Sequence, residues 1–233
     1  DYLCRQYLPK ATMATTVCAG IAEEYTRQYG VRPTVITNAP RFHSLPVHKT
    51  DPSRIRVIHH GVAARSRRIE RMIELANLLD SRFTVDFILI PGDTRYIVQL
   101  MRTAAGSRNI HFLPAVEMNQ IVSFSAQYDV GLFLLEPTNF NYLHALPNKF
   151  FEFLQARLAV AIGPSPEMAR IVSQFGCGVV AESFEPQALA KELNSLDADA
   201  LDKMKAQSSQ AAIVHCAERN AELLKNAFAA LPQ

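Results

Sequence analysis

The chain has 233 residues, 48% of them hydrophobic, enough for one sizeable core or one domain with an appendage. Its 24 basic residues against 22 acidic ones leave a formal charge of +2, which argues against nucleic acid or a broadly anionic surface as partner. Cys4, Cys18, Cys177 and Cys216 are scattered without a CxxC pair, as reduced structural thiols in a cytosolic protein are, and nothing resembles a zinc site, a secretory leader or a membrane span.

In chain order, residues 14–17 and 34–36 read as short strands around a helical segment at 20–29, one βαβ-like unit. A proline- and histidine-containing link follows. From residue 55 the pattern becomes strand, loop, helix, repeated. Predicted strands cover 55–61, 83–90, 110–113, 130–135, 158–162 and 178–181, and predicted helices cover 67–79, 96–105, 118–126, a segment opened by Pro147, and 168–175. Residues 187–231 read as helix throughout. Near-continuous apolar strands alternating with amphipathic helices imply an α/β fold, a Rossmann-like doubly wound parallel sheet, followed by a long C-terminal helical segment.

Six strands in the usual order 3-2-1-4-5-6 place the first and fourth side by side where the winding reverses, and ligands bind at the carboxyl ends there. The loop after the first strand contains Gly61, Arg65, Arg67 and Arg68. The loop after the fourth, 136–147, ends in Pro147, Asn148, Lys149 and, one turn on, Glu152. Proline suits the first helical position, and a helix start carrying a lysine attracts anions. Lys149 and Glu152, three apart, share a face, and the carboxylate can accept hydroxyl groups. The combination suits the diphosphate and ribose of a nucleotide, while an exposed ion pair explains Lys149 and Glu152 equally well in isolation. GxGxxG, GxxxxGK[ST], GxSxG and HExxH are all absent, which argues against dinucleotide oxidoreductases, P-loop nucleotidases, serine hydrolases and zinc proteases. His59 reads as a core residue, and the aromatic cluster Phe150, Phe151 and Phe153 as core rather than a stacking platform. Asp129 reads as a structural residue at a strand start. His215 and Cys216, adjacent on one predicted helix, do not face a common metal.

Together these residues resemble the C-terminal half of a GT-B-fold bacterial glycosyltransferase of the retaining family-four group, over nearly the whole chain. The resemblance is carried by His60-Gly61 with Arg67-Arg68-Ile69-Glu70, by Asp129-Val130-Gly131-Leu132, by the run from Pro147 to Phe153, and by Pro166-Glu167 with Ile171-Val172 and Gly176-Cys177-Gly178. It implies that residues 1–40 are a remnant of the N-terminal acceptor domain and 41–54 the interdomain link. Residues 55–186 would be the nucleotide-sugar donor domain, and 187–233 helices packing back on a missing domain. It also implies that Glu152 binds the ribose hydroxyls, that Arg67 and Lys149 neutralise the diphosphate with Gly61 and Asn148 beside them, and that the backbone at Ala115 and Val116 meets the base. His144 stands where many members carry a second glutamate, and Val62 where some carry an arginine for which Arg65 or Arg67 would compensate. The implied donor is a UDP- or GDP-linked sugar, with no metal or other cofactor and no nucleic acid. The implied acceptor is a glycan or glycolipid in surface polysaccharide synthesis, in the cytoplasm including the inner face of the membrane. The catalytic residues are expected in part on the missing N-terminal domain or on a partner chain supplying it. A non-catalytic nucleotide-sugar or partner-binding module and a GT-B-fold sugar-nucleotide epimerase are the competing classes.

Overall fold

A computed structural model describes residues 2–231. Helix α1 (Tyr2–Tyr7) precedes a small unit in which the parallel strands β1 (Thr15–Thr16) and β2 (Thr34–Val35) flank helix α2 (Ala19–Tyr29). Gly30 ends α2 in the left-handed conformation, with φ 68°. The link that follows has no regular element but is anchored: the His43 amide donates to Gln155 Oε1 at 2.9 Å, and the Thr50 amide to Asp202 Oδ1 at 2.9 Å.

The remainder is a six-stranded, wholly parallel sheet in the order β5-β4-β3-β6-β7-β8. Its strands are β3 (Ile55–Ala63), β4 (Phe83–Pro91), β5 (Ile110–Leu113), β6 (Val130–Phe133), β7 (Ala159–Ile162) and β8 (Gly178–Val180). Counted from β3 this is the order 3-2-1-4-5-6, so β3 and β6 are neighbours, with Val57 paired to Val130 and Ile58 to Gly131. Side chains alternate between the two faces. Val57, Leu132 and Ala161 feed one core; Ile58, Phe133 and Val160 feed the other. The first core is covered by α3 (Glu70–Asn77), α4 (Thr94–Thr103) and α9 (Pro186–Asn194). The second is covered by α5 (Ile121–Ser125), α7 (Asn148–Gln155), α8 (Pro166–Phe175) and α10 (Ala198–Val214).

Three local readings differ from the sequence expectation. The loop after β6 contains one further turn of helix, α6 (Phe140–Leu143), capped by Asn139, which accepts from the Tyr142 amide at 2.9 Å. The C-terminal segment, expected to be helical throughout, is interrupted: α10 ends at Val214 and α11 (Ala217–Ala229) starts after Cys216. His215 and Cys216 therefore sit in a break between helices. Pro147 is the residue before α7 rather than its first helical residue, with extended backbone at φ −78° and ψ 157°.

The Asp129 carboxylate ties the end of the chain to the sheet. It accepts from the Arg56 amide at 2.9 Å and lies 2.7 Å from Nζ of Lys205, which is buried on α10. Helix α9 packs on α3 and buries Leu189 and Leu193, while α11 buries no residue and touches the N-terminal unit through Asn220 and Thr37.

Candidate functional site

The carboxyl ends of β3 and β6 open into a cleft of about 580 Å³, a size that suits a small molecule or cofactor. Its walls come from the loop after β3, the turn after β5, the loop after β6, the start of α7 and helix α2 of the N-terminal unit, which contributes Ile21. Two contacts hold the loops after β3 and β6 together across the mouth. The hydroxyl groups of Ser66 and Tyr142 lie 2.7 Å apart, and Arg68 pairs with Glu136.

Of the residues singled out in the sequence, Gly61, Arg67, Val116, His144, Asn148, Lys149 and Glu152 all line this cleft; Ala115 and Arg65 do not. Arg65 is turned away. Its Nε is 3.0 Å from Asp93 Oδ2, its Nη1 is 2.9 Å from Gln99 Oε1, and its guanidinium lies 4.9 Å from the centroid of the Tyr96 ring. Those contacts leave Arg67 as the arginine available for a compensating role beside Val62.

Lys149 is not a surface ion-pair residue. It is 6% exposed, its Nζ has no hydrogen-bond partner among the described residues, and the ammonium lies 4.8 Å from the centroid of the Phe133 ring. Burial pulls its pKa down to about 7, with the nearby Arg67 guanidinium acting in the same direction and Glu152 opposing it. Burial likewise raises the pKa of Glu152, against the pull of Lys149. The buried Lys149, the half-buried Arg67 and the Glu152 carboxylate thus line one cleft, two basic side chains against one acidic. Gly61 completes it. At φ 126° it adopts a backbone that only glycine takes readily, and a Cβ there would stand 2.7 Å from Lys149 Nζ and 3.8 Å from Arg67 Nη1. Beyond them the first turn of α7 offers backbone N–H groups unused within the helix.

His60 also lines the cleft, a role that sequence reasoning missed. Its Nε2 is 3.6 Å from Glu152 Oε2, and its ring packs edge-on against Phe153 at 5.1 Å. Burial, followed by the Lys149 charge, lowers its pKa to about 3, so the imidazole is neutral at physiological pH and its contact with Glu152 is not ionic. His59, one residue earlier, points to the opposite face and is a core residue, with Nδ1 2.9 Å from the Leu132 carbonyl oxygen. Phe150, Phe151 and Phe153 are fully buried in the core. Among the described residues no group of three or more His, Cys, Asp or Glu side chains could hold a metal ion, and no helix is long and apolar enough to cross a membrane.

No family model matches the chain, and no curated protein matches it in sequence. Solved structures do match. TarM of S. aureus, in complex with fondaparinux, α-GlcNAc-glycerol and UDP, superposes with a TM-score of 0.78 at 14% identity, over 97% of this chain and 45% of TarM. HepE of Anabaena, in complex with UDP and glucose, gives a TM-score of 0.73 at 14% identity, over 95% of this chain and 64% of HepE. WaaG, a glycosyltransferase involved in lipopolysaccharide biosynthesis, gives 0.60 at 15% identity, over 86% of this chain and 57% of WaaG. The chain thus spans between about half and two thirds of the length of these structures. It has the fold of the GT-B glycosyltransferases, in the form of their C-terminal half.

Proposed function

We propose that the cleft at the β3–β6 junction holds a nucleoside diphosphate sugar, most simply a UDP-sugar, as donor for transfer of a hexose to a glycan or glycolipid acceptor with retention of configuration. The observation that carries this reading is the buried, unpartnered ammonium of Lys149 beside Arg67 and beneath Gly61. Among the described residues Lys149 Nζ has no hydrogen-bond partner, and a diphosphate would supply one. In the same reading Glu152 accepts the ribose hydroxyls, Asn148 caps the phosphate end through the start of α7, and the turn bearing Val116 borders the base.

The diphosphate gains negative charge as the glycosidic bond breaks. Contacts from Lys149 and Arg67 would therefore strengthen in the transition state, which is the condition for accelerating the step rather than merely binding the donor. Charge-assisted contacts of this kind contribute about 1.5–3 kcal/mol each. UDP in the TarM and HepE complexes supports the choice of nucleotide. Calorimetric titration with UDP, GDP and ADP is the test. Saturable binding of one of them, lost in Lys149→Met, is expected; no binding of any would overturn the reading. Transfer also needs an acceptor hydroxyl and exclusion of water. A sugar-transfer assay with and without an added acceptor domain is expected to show turnover only in its presence.

A further inference from the structure

Glu167 belongs to a sequence element with no role in the reading above, and its surroundings give it one. It lies in the first turn of α8 and is 4% exposed. Its Oε1 accepts the Gly20 amide at 2.7 Å and lies 3.3 Å from Nδ1 of His144, while Oε2 accepts from Arg170 Nη2 at 2.8 Å. One carboxylate therefore joins helix α2, the cleft-lining loop after β6, and helix α8. His144 is held from other sides too. Its ring packs against Phe140 at 4.7 Å, and its carbonyl oxygen accepts from the Cys18 thiol at 3.3 Å. Gly20 makes the closeness possible: a Cβ there would stand 2.0 Å from His144 Nδ1 and 2.5 Å from Glu167 Oε1.

We infer that Glu167 is a positioning residue that fixes His144 as a hydrogen-bond acceptor for a hydroxyl group of the donor sugar. An ionised carboxylate only accepts, so the ring nitrogen facing it carries the proton. In the neutral imidazole the other nitrogen, Nε2, is then a lone pair. Among the described residues Nε2 has no protein partner, and His144 lines the cleft. A lone pair repels phosphate oxygens and takes a hydroxyl. This assigns His144 to the sugar, not to the diphosphate, and rests on the donor reading above.

The test uses the full chain and two variants, Glu167→Ala and Gly20→Ala. Alanine is a good helix residue at position 20, so the second variant displaces the imidazole without requiring the fold to change. Proton–nitrogen correlation spectra in mildly alkaline buffer, with His144→Gln to assign the signal, report the tautomer. The wild type is expected to carry its proton on Nδ1, and both variants to lose that preference. Affinities for UDP and for the tighter of UDP-glucose and UDP-N-acetylglucosamine are then compared. Both variants are expected to bind UDP as the wild type does, and to lose about three- to tenfold of the added affinity given by the sugar. A wild-type proton on Nε2 would overturn the inference. So would a sugar contribution absent in the wild type, or unchanged in both variants. If the wild type binds no UDP, the donor reading fails while the tautomer still decides the role of Glu167.

Discussion

The ammonium of Lys149 occupies the space next to where a side chain on Gly61 would begin, 2.7 Å from that missing Cβ. The two residues lie far apart in sequence, near the carboxyl end of β3 and in the first turn of α7, and the parallel pairing of β3 with β6 brings them together. Gly61→Ala would meet both the strain of a φ of 126° and displacement of the ammonium. A stability loss of about 1–3 kcal/mol is expected from the backbone strain, read by urea denaturation. Nucleotide affinity, read by calorimetry, is expected to fall by about tenfold or more, as loss of a charge-assisted contact would give. Unchanged affinity in the folded variant would separate Gly61 from the site.

Lys149 makes both stability and binding depend on pH, in opposite senses. Its pKa is about 7 in the folded protein against an ordinary value of 10.5, so between those values the unfolded chain binds more protons. Stability from this group therefore rises with pH across that window, and below about 7 its full cost is present. Lys149→Met is expected to be more stable than the wild type near neutral pH, with the difference shrinking as pH approaches 10.5. Nucleotide binding needs the charged form, so wild-type affinity is expected to fall as pH rises above about 7, shifted upward by the bound anion. Denaturation and titration of both proteins across that range check it. A stability difference that stays constant with pH would show that Lys149 does not titrate there.

The strands were legible because their apolar runs are long and bounded by turn residues. Their order is the usual one of a six-stranded doubly wound sheet, expected once the alternation of strand and helix was recognised. Helix α6 was not, because four residues give no period; its one local signal was Asn139, a cap residue ahead of Phe140. His59 and His60 illustrate the limit at the site. The alternation of a strand says that neighbours face opposite ways, but not which of them reaches the cleft. Lys149 is the sharper case. Its spacing from Glu152 suggested an exposed pair as readily as a ligand site, and only the packing of Phe133 and β3 over it, set by tertiary structure, buries the ammonium.

Glu152 faces the cleft with neutral His60 as its neighbour, so its carboxylate is free to take hydroxyl groups. Glu152→Ala is expected to weaken nucleotide binding by about 1–3 kcal/mol, the effect of losing a charged hydrogen-bond partner. The circular dichroism spectrum should be unchanged, because among the described residues the side chain makes no hydrogen bond, only the 3.6 Å contact with His60. A nucleoside lacking the ribose hydroxyls gives the paired control. If the carboxylate meets the ribose, UDP and its dideoxy analogue should bind the variant almost equally. A variant that still prefers UDP by the wild-type margin would place the ribose elsewhere.

Arg65 and Arg67 stand two residues apart on one turn yet face different ways. Arg67 lines the cleft and, among the described residues, its side chain makes one long hydrogen bond, 3.4 Å to the Val62 carbonyl oxygen, whereas Arg65 is engaged by Asp93, Gln99 and the Tyr96 ring. A diphosphate can recruit the first without breaking anything and the second only by dismantling an existing network. Arg67→Ala is therefore expected to weaken UDP binding by about 1.5–3 kcal/mol, and to flatten the dependence of affinity on salt, since one cationic contact is lost. Arg65→Ala is expected to leave affinity within about 0.5 kcal/mol of the wild type, as substitutions away from a site do. Its stability should change little, because the Asp93 pair is solvent-exposed. Calorimetry of both variants at two salt concentrations distinguishes them. Equal losses would mean that the loop after β3 rearranges on binding and brings Arg65 in; a loss confined to Arg65 would mean that the phosphates lie at the outer side of that loop, away from Lys149.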